Sequence, residues 1–196
     1  MKILFIDNKD SFVWNLVDFV SIFEPDTVVV TNTITIEEVK DMKPDGIIIS
    51  PGPGTPHKAE DVGTCIDIIR EFGAEIPILG VCFGHQAINT AFGGTIDHAI
   101  GGPIHGKTSD ISHDNSTLFA NLKGGFKGGR YHSLAIKELA ADLKVTAKTD
   151  DDIIMAVEHN EYPIYGVQFH PESILTDEGV KIIRNFLRVI EGMHKD

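Results

Sequence analysis

Apolar residues in the first half of the chain form short, nearly continuous runs, and the segments between the runs repeat apolar residues at helical spacing. The runs predict buried strands and span residues 2–7, 27–30, 46–50 and 77–81. The segments between them predict helices and span residues 11–23, 35–42, 62–73 and 85–94. Strands without polar alternation that are followed by helices indicate an α/β fold, with a mainly parallel sheet and helices on both faces.

The first predicted helix carries an apolar stripe at spacings of three and four residues. The stripe comprises Phe12, Leu16, Phe19 and Phe23. Asp10 or Ser11 precedes the stripe, and one of them is expected to cap the helix. The stripe indicates an amphipathic helix.

The pattern changes after residue 95, where shorter segments alternate in the manner of strands joined by turns. These segments span residues 95–100, 108–113, 130–136, 144–149, 152–159 and 162–169, and a final helix is predicted over residues 177–193. The stretch "KGGFKGG" (residues 123–129) is interpreted as a flexible connection, because the Lys-Ser/Thr pair of a phosphate-binding loop does not follow it. Residues 1–196 are thus predicted to form one α/β domain whose parallel sheet has an antiparallel extension.

Charge and cysteine content narrow the classes of function. The 196 residues include 17 Lys or Arg and 29 Asp or Glu, which gives a net charge of −12 at pH 7. Such a surface repels phosphate backbones and anionic lipids, so neither nucleic acid nor a membrane is expected as a partner. The two cysteines, Cys65 and Cys82, suggest no disulfide framework, and a reducing cytoplasmic setting is expected.

The stretch "PILGVCFGHQAI" (residues 77–88) places Cys82 where a predicted strand passes directly into a predicted helix. Gly80 and Gly84 leave room for a sharp turn of the nucleophile-elbow type and for the approach of a substrate. The free N–H groups at the start of the helix would stabilise a thiolate and a developing oxyanion. The competing interpretation is that Cys82 is a small buried apolar residue, which is how Cys65 is interpreted.

A thiol nucleophile needs a base, and the stretch "YGVQFHPES" (residues 165–173) offers one. His170 follows an apolar strand, and Glu172 lies two residues further on, after a proline that stops strand pairing. Cys82, His170 and Glu172 are therefore candidates for a nucleophile, its base and an orienting acid. A metal site made by Cys82, His85 and His132 is the weaker alternative. No metal is predicted, because no zinc-type spacing supports that site.

The loop "SPGPGTP" (residues 50–56) follows the predicted strand over residues 46–50. In an open α/β sheet, the loops at the carboxyl ends of strands form the ligand crevice. Two glycines held by prolines would present rigid backbone N–H groups to a substrate there. An ordinary tight turn is the alternative interpretation.

Five motifs occur in family-like order and spacing, namely "SPGPGTP", "LGVCFGHQ", "HGK", "YHSL" and "VQFHPES". Through them the chain resembles the class I glutamine amidotransferases along nearly its whole length. The resemblance implies a flavodoxin-like fold in which Cys82 is the nucleophile, His170 the base and Glu172 the orienting acid. It also implies an oxyanion hole made by backbone N–H groups of Gly54 and Phe83. Glutamine would be bound by Gly52, Pro53, Gly54, Gln86 and main-chain groups of Ser133 and Leu134.

Within that class, "DSFVWN" (residues 10–15), "SPGPG" and "HGK" most resemble the amidotransferase subunits of anthranilate synthase, and the related subunits of aminodeoxychorismate synthase, which share this pattern, are the alternative. The subunits of GMP synthetase fit less well. The resemblance implies that L-glutamine is hydrolysed and that the ammonia passes to a separate, chorismate-binding synthase subunit. It implies no cofactor on this chain and a Mg²⁺ ion on the partner. Two other hypotheses remain, a non-catalytic partner module and an unrelated thiol hydrolase or peptidase.

Overall fold

The computed structural model describes residues 1–193. Its strands are β1 (Ile3–Asp7), β2 (Thr27–Thr31), β3 (Gly46–Ile49), β4 (Ile78–Val81), β5 (Thr95–His98), β6 (Ile104–His113), β7 (Phe126–His132), β8 (Leu134–Glu138), β9 (Leu143–Thr149), β10 (Ile154–His159) and β11 (Ile164–Val167). Its α-helices are α1 (Val13–Ser21), α2 (Ile36–Met42), α3 (Ala59–Val62), α4 (Cys65–Phe72), α5 (Phe83–Ala91) and α6 (Gly179–Met193). No helix in this range is both long and apolar enough to cross a membrane.

One large sheet within residues 1–193 has nine strands in the order β2-β1-β3-β4-β11-β10-β9-β6-β7. The first five of these run parallel, and Ile49 of β3 and Gly166 of β11 are in register with Gly80 of β4. The other four continue the sheet with antiparallel pairing. The predicted α/β fold, a mainly parallel sheet with an antiparallel extension, is confirmed.

Helices cover both faces of the parallel half, as predicted. Successive side chains of a strand point to opposite faces of the sheet. In β1, Ile3 and Phe5 join the apolar cluster that contains residues of α1 and α6. Leu4 and Ile6 join the cluster that contains residues of α4 and α5. Because both faces are buried, this strand is apolar at nearly every position.

The segments that carry the predicted site follow the carboxyl ends of adjacent strands. Asn8 follows β1, Ser50 follows β3, Cys82 follows β4, and Gln168 follows β11. The carboxyl ends of neighbouring parallel strands meet at one edge of a sheet, so the fold brings these four loops together.

The predicted apolar stripe is confirmed in part, since Leu16 is fully buried and Phe19 and Phe23 are partly buried against the core, but Phe12 is exposed. The residues that α1 buries are Val13, Leu16, Val17 and Val20. Phe12 is 40% exposed, because the helix begins one residue after it and turns a different face towards the sheet. Asp10 and Ser11 are not the N-cap, which is Phe12, although the carboxylate of Asp10 accepts the N–H of Phe12 at 3.1 Å.

Two further helix boundaries differ from the prediction. The segment predicted as one helix over residues 62–73 is divided between α3 and α4. Gly63 has a φ of 51°, and Thr64 then donates its hydroxyl to the carbonyl oxygen of Ile34 at 2.8 Å. Helix α5 begins at Phe83, two residues before the predicted start, so that Cys82 is its N-cap.

The interpretation of "KGGFKGG" as a flexible connection was wrong for its second half, because residues 126–129 begin β7 and pair with β6. Glycine is required there for packing. A Cβ on Gly128 would collide with Ile111, and one on Gly129 would lie 3.0 Å from the Cβ of Leu175. The carbonyl oxygen of Gly129 accepts the backbone N–H of His170 at 3.0 Å. These glycines therefore let the predicted catalytic loop lie directly on the strand.

The segment over residues 130–136 was predicted as one strand, and the structure divides it at Ser133. β7 ends before this residue in the large sheet, and β8 begins after it. β8 pairs with β5 in a separate two-stranded sheet. This division places the "YHSL" motif at a turn beside the site.

Candidate active site

Cys82 lies at a strained turn between β4 and α5. Its φ of 52° and ψ of −98° fall in a region that residues other than glycine rarely adopt. Its backbone N–H donates to the carbonyl oxygen of Val167 at 2.8 Å, which ties the turn to β11. The strand, the strained residue and the helix that follows have the geometry of a nucleophile elbow.

Gly80 and Gly84 let the backbone of the elbow pack closely. A Cβ on Gly80 would collide with the backbone of Gly84, and one on Gly84 would collide with the carbonyl oxygen of Ile49. The start of α5 therefore lies directly against β3 and β4. The predicted role in the turn fits this packing. The predicted role in substrate approach does not, because the two glycines meet protein backbone and do not line the cavity beside Cys82.

His170 and Glu172 form a buried pair near Cys82. Nδ1 of His170 lies 2.7 Å from Oε1 of Glu172, and the side chains are 4% and 1% exposed. Burial lowers the pKa of His170, but interactions with Cys82 and Glu172 outweigh burial and raise the pKa well above its usual value. The imidazole is thus prepared to take the proton of the thiol, with the carboxylate of Glu172 accepting a hydrogen bond from the Nδ1–H group.

Two aromatic rings enclose the imidazole of His170. The ring centroid of Tyr131 lies 5.0 Å from that of His170, and the ring centroid of Phe12 lies 6.1 Å away, both in edge-on arrangements. Within residues 1–193, the buried Nε2 of His170 makes no hydrogen bond. This nitrogen is therefore available for proton exchange with Cys82 and with a substrate.

The loop over residues 52–54 is held in place from β1. Asn8 donates its side-chain N–H to the carbonyl oxygen of Ser50 at 2.9 Å. Gly52 packs so closely on Asn8 that a Cβ added to Gly52 would lie 2.8 Å from the carbonyl oxygen of Asn8. Gly54 has a φ of 83°, and an added Cβ there would collide with the carboxylate of Asp61. These contacts fix the backbone of the loop beside the elbow.

A cavity of about 150 Å³ lies between the elbow, this loop and the turn between β7 and β8. Its lining includes Cys82 and every residue predicted to hold glutamine or the oxyanion, namely Gly52, Pro53, Gly54, Phe83, Gln86, Ser133 and Leu134. Residues absent from the prediction also line it, namely His105, Tyr131 and His132. His170 and Glu172 are not part of the lining. The imidazole of His170 packs against the ring of Tyr131, which is part of it.

Some predicted glutamine-binding groups already have partners within the protein. Nε2 of Gln86 donates to the carbonyl oxygen of Leu134 at 3.0 Å and to Oε1 of Gln168 at 3.1 Å. The side-chain oxygen of Gln86 is therefore the atom it can offer to a ligand. The carbonyl oxygen of Ser133 accepts the N–H of Ala99 at 2.9 Å. The carbonyl oxygens of Ser133 and Leu134 thus already accept hydrogen bonds from the protein itself, which leaves fewer main-chain groups for glutamine than predicted.

His132 is neutral and its tautomer is defined. Burial lowers its pKa to about 4. Its Nδ1 lies 2.8 Å from the carbonyl oxygen of Leu134, which can only accept, so Nδ1 carries the proton. Its Nε2 accepts the Nε–H of Arg130 at 3.0 Å. Because both ring nitrogens are engaged, His132 cannot be a ligand in the alternative metal site with Cys82 and His85.

Sequence reasoning missed two buried amides, Asn8 and Gln168. Asn8 anchors the loop after β3, and Gln168 donates an Nε2 hydrogen to Sγ of Cys82 at 3.5 Å. Both residues directly follow an apolar strand, at the end where an α/β sheet places its ligand crevice. A polar side chain at that position was the signal that could have identified them.

Comparison with known proteins agrees with this geometry. The sequence profile of "Glutamine amidotransferase class-I" matches residues 4–190. The chain is 52% identical over 195 residues to "Anthranilate synthase component 2" of Methanocaldococcus jannaschii, covering 95% of this chain and 96% of that protein. It is 46% identical over 192 residues to the protein of the same name from Thermococcus kodakarensis, covering 95% and 97%.

The fold is also found among solved structures. A crystal structure from Thermoplasma acidophilum, provisionally assigned to GMP synthase, matches with a TM-score of 0.89. The two sequences are 26% identical, and the match covers 100% of this chain and 96% of that one. A family profile and relatives that each span nearly the whole chain leave one assignment: the chain belongs to the class I glutamine amidotransferase family.

Proposed function

We propose that this chain is the glutamine amidotransferase subunit of an anthranilate synthase. In this role it hydrolyses L-glutamine at Cys82 and supplies the ammonia to a separate synthase subunit. One observation carries the proposal. An elbow cysteine and a glycine-rich loop line one cavity, and a buried His170–Glu172 pair lies behind its wall at Tyr131, in a chain about half identical to proteins named anthranilate synthase component 2.

The chemistry follows from the groups at the cavity. The Cys82 thiolate attacks the γ-amide carbon of glutamine, and the backbone N–H groups of Gly54 and Phe83 stabilise the resulting oxyanion. The C–N bond then breaks as Nε2 of His170 gives its proton to the leaving nitrogen, which departs as ammonia. His170 next takes a proton from water, whose oxygen attacks the thioester carbon. The C–S bond breaks, and glutamate leaves with the thiolate restored.

Ammonia needs a nearby acceptor, because in bulk water at neutral pH most of it becomes ammonium and loses its nucleophilic lone pair. The acceptor in this proposal is chorismate, held by a separate synthase subunit. The products are anthranilate and pyruvate alongside the glutamate from this chain, and the pathway is tryptophan biosynthesis. The Mg²⁺ ion belongs to the partner, and the complex is cytoplasmic, which suits a protein with two free thiols.

The relatives favour this acceptor over the alternatives. Proteins named as anthranilate synthase components reach 46–52% identity with this chain. The protein assigned to GMP synthase shares 26%. The subunit of aminodeoxychorismate synthase would use the same amidotransferase chemistry, so only the identity of the acceptor separates it from the proposal.

The test uses the complex with an anthranilate synthase large subunit. We expect Cys82→Ala to reduce glutamine-dependent anthranilate formation by roughly 10⁴-fold or more, because removal of a nucleophile disables the whole triad. Anthranilate formation from chorismate and added ammonia should stay near the wild-type rate. Cys65→Ala is the matched control and should retain both activities.

Two outcomes would contradict the proposal. Glutamine-dependent synthesis by the Cys82→Ala complex would show that another group is the nucleophile. A wild-type chain that hydrolyses glutamine, but supports only aminodeoxychorismate formation with the corresponding synthase subunits, would overturn the assignment of the acceptor.

A further inference from the structure

Gln168 takes no part in the proposed reaction, yet its side chain is completely buried beside Cys82. Its backbone N–H donates to the carbonyl oxygen of Met155 on β10 at 2.9 Å, which fixes its position at the end of β11. Its side-chain Nε2 lies 3.5 Å from Sγ of Cys82. A fully buried amide whose donor faces a sulfur atom calls for a physical reason.

The direction of this contact is determined by its neighbours. The carbonyl oxygen of Leu134 can only accept, so the side-chain nitrogen of Gln86 must face it. The same nitrogen gives its second hydrogen to Gln168, so the oxygen of the Gln168 amide faces Gln86. The nitrogen of Gln168 is left to face Cys82. The sulfur of Cys82 therefore receives a hydrogen bond and cannot give one to this amide.

We propose that Gln168 is a positioning residue that stabilises the Cys82 thiolate by donating a hydrogen bond to its sulfur. The proposal deepens the proposed function, on which it rests. An N–H group interacts more strongly with a charged sulfur than with a neutral thiol, so the contact favours ionisation. The donor carries no charge, and a carboxamide does not ionise near neutral pH. It can therefore favour the thiolate without competing with His170 for the proton.

Gln86 gives this contact its rigidity. Its two donated hydrogen bonds link the carbonyl oxygen of Leu134, which lines the cavity, to the amide of Gln168. Hydrogen bonds in such a chain polarise one another, so the amide nearest the sulfur is a stronger donor than an isolated one. The wall of the cavity is thus connected to the nucleophile through two side chains.

Other ionisable groups also surround Cys82, and they are unchanged when Gln168 is replaced. His170 and Glu172 lie in the loop after β11, and His85 lies on α5. His105, Tyr131 and His132 line the cavity wall. Asp10 lies beside His170. Burial lowers the pKa of His85 to about 3 and that of His132 to about 4, so both stay neutral near pH 7. Their contributions cancel in a comparison of variants.

The test measures the rate at which iodoacetamide alkylates Cys82 as a function of pH, with each cysteine followed separately by peptide mass spectrometry. The variants are Gln168→Leu, which removes the donor, and Gln168→Glu, which keeps the shape and the acceptor for Gln86. We expect Gln168→Leu to raise the pH midpoint by about one unit and to lower the rate near pH 7 roughly tenfold. Gln168→Glu should raise the midpoint further, because a carboxylate repels the thiolate.

The midpoint in Gln168→Leu separates the proposal from a purely structural role, because the carboxylate in Gln168→Glu repels the thiolate whether or not Gln168 donates a hydrogen bond. If Gln168 only filled space, an apolar side chain in its place would leave the midpoint unchanged. An unchanged midpoint in Gln168→Leu would therefore overturn the proposal. If Gln168→Leu does not fold, the same measurement is made on Gln168→Met, whose unbranched side chain also lacks the donor.

Asn185→Leu is the matched control. The Asn185 amide is also buried and donates to the carbonyl oxygens of Leu118 and Ala120 at 2.9 and 3.0 Å, on α6 and away from any sulfur. This variant should lose stability with no change in the alkylation midpoint. The reactivity of Cys82 is measured without glutamine or a partner, so an unchanged midpoint refutes only the role of Gln168. The proposed function stands or falls on Cys82→Ala.

Discussion

The two cysteines of this chain lie at the start of neighbouring helices and are both buried, yet their surroundings are opposite. Cys65 is the first residue of α4 and Cys82 is the N-cap of α5. Sγ of Cys65 lies 3.1 Å from the side-chain oxygen of Asn8, to which it donates a hydrogen bond. Sγ of Cys82 lies 3.5 Å from the side-chain nitrogen of Gln168, from which it accepts.

The difference shows that a helix N-terminus does not by itself make a thiol reactive. Burial raises the pKa of Cys65 to about 12, and its thiol donates a hydrogen bond to the side-chain oxygen of Asn8. Cys82 has a donor in place of an acceptor, and it also has His170 to take its proton. The two thiols therefore differ in which atom of a nearby amide faces the sulfur and in whether a base is present, and these differences favour Cys82 as the proposed nucleophile.

The largest expected effect is the selectivity of labelling by a glutamine-like diazo-ketone. Near pH 7, a thiol with a pKa of about 12 is ionised in only about one molecule in 10⁵. Cys82 should therefore carry all the label in the folded protein, and Cys65 should carry none. Peptide mapping after reaction measures the two sites independently.

Unfolding the protein provides the control for labelling. In denaturant both cysteines lose their neighbours, so a general thiol reagent should modify them at similar rates. Label on Cys65 in the folded chain would break the comparison. It would mean that burial does not keep the Cys65 thiol protonated.

The next largest effect distinguishes the proposed base, His170, from the carboxylate that orients it, Glu172. We expect His170→Asn to lower glutaminase activity by about 10³- to 10⁴-fold, because it removes the group that accepts the thiol proton. Glu172→Gln should cost at least tenfold less, since Glu172 orients the imidazole and takes no proton itself. Both are measured as kcat/KM for glutamine in the complex. If Glu172→Gln lowered kcat/KM as much as His170→Asn does, the carboxylate would have a role in the reaction beyond orienting the imidazole.

Much of the parallel half could be predicted from sequence, because its signals are local. β1 and β3 are apolar at nearly every position, and that pattern needs no distant information. The break at Gly63 was missed because it depends on the carbonyl oxygen of Asn32, which an added Cβ at Gly63 would strike. The glycines of "KGGFKGG" were misread for the same reason, since Gly128 and Gly129 serve contacts with distant segments.

The same limit applies to the site. Cys82, His170 and Glu172 stand in recognisable stretches, and the structure brings them together at one edge of the sheet. The direction of the amide of Gln168 could not be predicted. It depends on a carbonyl oxygen of β8 that reaches Gln168 only through Gln86. Cys82, His170 and Glu172 therefore stand out in the sequence more clearly than the neutral amides that lie beside them.

The smallest expected effect concerns the structural cysteine. Cys65→Ala should lower the free energy of unfolding by about 1–2 kcal/mol, because it removes a buried sulfur and its hydrogen bond to Asn8. Cys65→Ser should lose less, since a hydroxyl can still donate to the same oxygen. Urea denaturation measures both. Neither variant should change the alkylation rate of Cys82 or kcat/KM for glutamine, because Asn8 keeps its bond to Ser50 and the loop over residues 52–54 stays in place. A tenfold fall in kcat/KM at nearly unchanged stability would show that the two cysteines are coupled through Asn8, and they could then no longer be treated as independent regions.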